Sequence, residues 1–115
     1  MSTMSSIDKM RQDQRRIEEI LLGLEAQKKE IDEKYNAVLE EENMALDELR
    51  RCRDQVQYTR LDMKLNMVSR RRREMDPQKQ AIERKIRGHR EELERIKARI
   101  GYMTPKGGLV SPKEE

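Results

Sequence analysis

A chain of 115 residues in which 43% are charged and only 34% are hydrophobic, with three Tyr and no Trp or Phe, lacks the apolar material for a compact core. The charges are largely Glu, Lys and Arg, good helix formers interrupted by only five Gly and three Pro, which favours long helices burying a narrow stripe over disorder. The net charge of +3 hides an asymmetry: Glu18–Glu48 has eleven acidic residues against three lysines, a net of −8, whereas Ser69–Arg99 has twelve basic against six acidic, a net of +6. The two halves therefore attract each other if the chain folds back, and each can also recruit a partner of opposite sign.

Residues 1–5 read as a short N-terminal tail. Ser5 or Ser6 caps a first helix, and Ser5 with Asp8 has capping-box spacing. The expected helix spans 6–74. Its first heptad register places Ile7, Leu21, Tyr35, Leu49 and Val56 at a, and Met10, Ile17, Leu24, Ile31, Val38, Ala45 and Cys52 at d. Twelve of sixteen such positions are apolar, the exceptions being Gln14, Lys28, Glu42 and Thr59; polar a residues cost stability but fix register or partner number. Leu39 and Leu46 widen the stripe.

A second register takes Tyr58, Leu65, Ile86, Leu93 and Ile100 at a, and Leu61, Val68, Met75, Ile82, Ile96 and Met103 at d, with Arg72, Lys79 and His89 as the polar exceptions. The two registers differ in phase by two residues near 52–61, which demands a change in winding, a rotated contact or a bend. Asp76-Pro77 then predicts a helix break or kink, because Asp is a good N-cap and Pro suits a first helical position. A second, basic amphipathic helix follows over 77–101, ending at Gly101 as C-cap. Residues 102–115 hold Pro105, Gly107, Gly108 and Pro112 and read as a flexible or extended tail. The fold class is thus all-α, with elongated coiled-coil helices.

Residues that carry chemistry are sparse. His89 is the only histidine and Cys52 the only cysteine; both fall on the stripe and read first as packed seam residues. No glycine-rich phosphate loop or nucleophile motif occurs, so no catalytic, cofactor-binding or metal site is expected and the chain reads as non-enzymatic. Gly23 and Gly88 stand alone inside helical patterns, where each costs about 1 kcal/mol against Ala and would permit a close helix contact.

The sharpest local feature is Arg70-Arg71-Arg72-Arg73. Four successive residues cover every side of a helix, so one of them, Arg72, must approach the seam. Lys79, Arg84, Lys85, Arg87 and Arg90 extend this basic interaction patch. An acidic protein surface or the chain's own acidic half ranks first as its partner. A nucleic-acid backbone ranks second, because Glu83, Glu91, Glu92 and Glu94 dilute the stripe. A membrane surface ranks lower still, for lack of Trp and Phe anchors. Thr104 and Ser111 precede prolines and are candidate phosphorylation sites that would add negative charge beside Lys106 and Lys113.

These features lead to a structural subunit or adaptor of a larger assembly, with the cytoskeleton as its first setting. It would bind helical protein partners, homo- or hetero-oligomeric, within a multi-protein complex. In isolation it is expected to dimerise or fold poorly. The alternative is a nucleic-acid-associated helical arm centred on residues 70–73. No apolar run reaches membrane-spanning length, no signal-peptide segment is read, and Cys52 stands alone, so a cytoplasmic placement is expected, with the nucleus as alternative.

Overall fold

The computed structural model describes residues 5–104, and these form two α-helices, α1 (Ser6–Arg51) and α2 (Gln55–Met103). α1 starts where its cap stands: the Asp8 amide donates to Ser5 Oγ at 3.1 Å, and the Lys9 amide closes the first helical turn on the Ser5 carbonyl at 3.0 Å. Exposed pairs one turn apart, such as Lys34 with Glu30 at 3.4 Å, add only a few tenths of a kcal/mol each. The helices therefore depend on covering their apolar stripes.

The helix boundary falls at Cys52–Asp54, so the expected uninterrupted helix over 6–74 is divided there. The Cys52 amide turns back to the Leu49 carbonyl at 3.2 Å, ending α1 with a tighter turn, and Cys52 Sγ lies 3.3 Å from the Asp54 carbonyl oxygen. That carbonyl also accepts the Tyr58 amide at 2.8 Å, so Asp54 is the residue from which α2 begins. The two-residue phase jump of the heptads thus coincides with a reversal of chain direction.

The break expected at Asp76-Pro77 is absent, and Pro77 lies inside α2. Its ring removes one amide donor and would ordinarily end or kink a helix. The stripe, however, continues in phase across it: Val68 is buried, and Met75 and Ile82 are half-buried on either side. Ion pairs from Arg72 to Asp76 (3.9 Å) and from Lys79 to Glu83 (3.7 Å) also flank the proline along the helix. Continued packing on both sides outweighs the lost bond. α2 also passes through Gly101, the expected C-cap, to Met103, beyond which the Thr104 amide still donates to the Ile100 carbonyl at 2.9 Å.

The chain divides into two compact units. Gly23–Ile86 forms one, an antiparallel hairpin in which Ser69 and Arg72 meet Glu42, Arg71 meets Glu41, and Lys79 meets Asp32, so partners recede from the turn in step. Its core is Ala45, Leu61, Val68 and Ile86, with Ala45 wholly inaccessible. The other unit combines Met1–Leu22 with Arg87–Glu115. Among its described residues Ile17 and Leu21 are buried, and Ile7, Met10, Leu93, Ile96 and Ile100 are half-buried. Each buried Val, Leu or Ile contributes about 1.5–3 kcal/mol relative to exposure.

A Cβ built on Gly23 or Gly88 meets nothing within 4 Å, so neither glycine mediates the close helix contact its isolation suggested. Both are plain helix weaknesses, as is exposed Pro77. Gly23→Ala and Gly88→Ala should each raise unfolding free energy by about 1 kcal/mol, and Pro77→Ala by up to about 3 kcal/mol. Ile86→Ala should lower it by about 2–5 kcal/mol. Urea titrations followed by circular dichroism read all four; a loss of stability in the glycine variants would contradict the open space around them.

Candidate interaction site

Polar residues that interrupt a narrow apolar stripe are unfavourable unless they find one another. In the hairpin unit they do. Arg72 Nε donates to Glu42 Oε1 at 2.6 Å, and Ser69 Oγ donates to Glu42 Oε2. Two turns further along α2, Lys79 Nζ lies 3.1 Å from Asp32 Oδ1 and 5.3 Å from the centroid of the Tyr35 ring, a cation–π distance. Lys28 Nζ holds the second carboxylate oxygen of Asp32 at 2.6 Å. Oδ1 itself accepts no aligned hydrogen bond, so its attraction to Lys79 is electrostatic. Arg72 and Glu42 are shielded, with side chains 24% and 15% accessible. Thus Lys28, Glu42, Arg72 and Lys79, each an exception to the heptads, form one charged ladder.

The ladder sets its own electrostatics. The hydrogen bond from Lys28, and after it the nearby positive charge of Lys79, lower the pKa of Asp32 below its ordinary 3.8. Arg72, followed by Ser69, lowers Glu42 below 4.5. In return Glu42 raises Arg72, and Asp32 raises Lys79 above 10.5.

The remaining sequence-selected residues are distributed along the helices. Of the expected seam, Ile17, Leu21, Leu61, Val68 and Ile86 are buried. Ile7, Met10, Leu24, Ile31, Tyr35, Val38, Leu49, Cys52, Leu65, Met75, Ile82, Leu93, Ile96 and Ile100 are half-buried. Val56 departs from it at 63% exposure, because α2 restarts in a new phase at Gln55 and turns that side chain outward. Cys52 sits in the turn rather than on a helix face. His89 is half-buried with Nδ1 3.3 Å from Glu92 Oε1, and Gln14 reaches Glu18 at 3.4 Å. Thr104 is half-buried and donates its hydroxyl to the Ile100 carbonyl at 2.6 Å; Ser111 lies outside the described residues.

The basic run is divided between pairs with α1 and the outer surface. Arg72 turns to Glu42, and Arg71 Nη2 bonds Glu41 Oε2 at 2.6 Å. Arg70 and Arg73 are exposed, as are Arg84, Lys85, Arg87 and Arg90, while Lys79 belongs to the ladder. Two of the four consecutive guanidinium groups are therefore committed to carboxylates of the same chain, which weakens a continuous phosphate-binding stripe.

The heptad reading passed over an apolar surface on α2. Met63 and Met67 are 63% and 67% exposed. With Arg60, Lys64, Arg71, Val68 and Glu41 of α1 they line an open groove of about 440 Å³. The signal lay in the spacing Val56, Met63, Met67, a second and shorter heptad stripe. Among the described residues, no group of three or more His, Cys, Asp or Glu is placed to hold a metal ion, and no helix is long and apolar enough to cross a membrane.

Depressed carboxylate pKa values mean that the ladder stabilises the folded chain above the ordinary carboxylate range, and that this contribution disappears as pH falls through the lower, folded values. The raised Lys79 acts in the opposite sense: its contribution is complete below 10.5 and is lost as pH rises through the folded value. Glu42→Gln should therefore flatten the acid limb of a stability–pH curve, and Lys79→Met the alkaline limb, relative to the parent chain. Urea midpoints across the pH range report both; curves parallel to the parent's would contradict the ladder's role. No protein-family model matches this chain, and no curated protein or solved structure matches it.

Proposed function

We propose that the chain is a non-enzymatic structural or adaptor element of a multi-protein assembly, working through helix association and charge complementarity in a cytoplasmic, first of all cytoskeletal, setting. The observation that carries this reading is a division of labour on α2. Its inward side packs Leu61, Val68 and Ile86 and pairs Arg72 and Lys79 with α1, whereas its outward side keeps Val56, Met63 and Met67 exposed. Single exposed apolar residues are ordinary, but aligned ones beside fixed charges are what a coiling or docking helix needs. The ladder supports the same reading, because a hairpin that sets its own register presents its outer faces in a defined arrangement.

Cross-linking combined with native mass measurement on the protein taken from its source tests the proposal. The expected result is a mass above that of one chain, with cross-links from Lys64 or other outward lysines to a second polypeptide. A protein recovered only as the single chain, with intrachain cross-links alone, would overturn it.

A further inference from the structure

The partner's chemistry is legible in the outward face of α2. We propose that the Val56–Met63–Met67 stripe and the adjoining groove are the docking site for an acidic amphipathic helix of another protein, an inference that rests on the helix-association reading above.

Spacings of seven and four residues put these three side chains within about 40° of one another around the helix axis. All three are more than 60% exposed, so they share one outward face, with Arg60 between Val56 and Met63. Beside that face the groove descends between Met63 and Met67 and Glu41 of α1, with buried Val68 among its lining. Such a face next to a groove fits a helix whose apolar side chains recur every three or four residues. Methionine suits such a surface because its unbranched thioether adapts to the side chains that arrive.

Charge selects the kind of helix. The groove is rimmed by Arg60, Lys64 and Arg71, and its one acid, Glu41, is already held by Arg71 at 2.6 Å. Arg70, exposed, falls on the opposite flank of the stripe. The groove flank is therefore positive through Arg60 and Lys64, the other flank carries Arg70, and Glu74 bounds the stripe one heptad beyond Met67. A helix carrying Glu or Asp opposite Arg60, Lys64 and Arg70 complements this face.

The same facts argue against a second copy of this chain. Two copies pairing through this face would bring the Arg60 and Lys64 of each together. The acidic α1 of another copy offers no matching stripe: its large exposed apolar residues are Ile20, Leu22 and Met44. Ile20 and Leu22 are two apart, hence on different faces, and Met44 stands away from both. An anionic bilayer fits less well than a helix, because a flat surface leaves the groove unfilled and meets Glu41 at its rim.

The test uses the full chain and a fluorescein-labelled helical peptide of about three heptads, with Leu at a and d and Glu at the flanking positions. A second peptide carries Lys in place of every Glu. Fluorescence anisotropy should show saturable binding of the Glu peptide, weakened by salt, and binding of the Lys peptide at least about tenfold weaker. Met63→Ser with Met67→Ser should weaken the Glu peptide by about tenfold or more, while the circular dichroism melt falls only by the small helix-propensity difference of Ser, since neither side chain is buried. Met63→Leu with Met67→Leu should retain binding. Arg60→Gln with Lys64→Gln should weaken it chiefly at low salt.

Equal binding of the two peptides, or binding indifferent to the serine pair, would overturn the proposal. So would uptake on phosphatidylserine vesicles by a chain that ignores the Glu peptide, or self-association that the serine pair abolishes. A chain that ignores the peptide yet cross-links to a partner through other faces loses this inference alone; one that associates with nothing in either experiment loses the helix-association reading as well.

Discussion

Everything in this structure depends on how a chain with few apolar residues covers a narrow apolar stripe. With 34% hydrophobic residues there is no reserve for a layered core, and each helix presents one line of side chains that only another helix can dry. Pairing α1 with α2 meets that need within each unit, but it makes every position on the line consequential. A charged residue there must meet its opposite or remain wet. Arg72 opposite Glu42 and Lys79 opposite Asp32 are the outcome of that demand, and they explain why a seam with polar interruptions holds together.

Charge pairs of this kind contribute more to choice than to strength. Replacing a shielded pair by apolar residues of similar volume commonly leaves a protein as stable or more so. An unbroken apolar seam, however, tolerates sliding by a heptad, whereas here a shift by one heptad separates Glu42 from Arg72 and Asp32 from Lys79 together. The asymmetry of −8 and +6 between the two halves acts in the same direction over a longer range. Part of the basic surface is consumed in this way, since Arg71 and Arg72 answer Glu41 and Glu42. What remains outward is a smaller positive field around Met63 and Met67.

Much of this was legible in the sequence, because helices and their inward faces follow from periodicity. The cap at Ser5 and the stripe through Ile17, Leu21, Leu61, Val68 and Ile86 needed only spacing and residue type. The phase jump near 52–61 marked the right place, but phase alone does not distinguish a bend from a reversal; that distinction lies in the Asp54 carbonyl taking up the Tyr58 amide. At Pro77 the sequence left a break or a kink open: local propensity favours a break, and the packing of Met75 and Ile82 keeps the helix continuous. The ladder was half legible. Its members stood out as exceptions, while their pairing required the antiparallel alignment that only the turn supplies. Met63 and Met67 were overlooked because a register built to find the inward stripe treats the outward one as background.

The three-residue connection at Cys52–Asp54 also bears on how the hairpin comes into being. Closing a loop costs entropy that grows with the chain it encloses, so contacts nearest the turn form at least cost. Ser69 and Arg72 lie 27 and 30 residues from Glu42, whereas Lys79 and Asp32 enclose a longer segment. Assembly can therefore proceed as a zipper from the turn, with the Glu42 pair engaged before the Asp32 pair and the alignment checked by charge at each stage. On that route a misaligned hairpin is rejected while little chain has been committed.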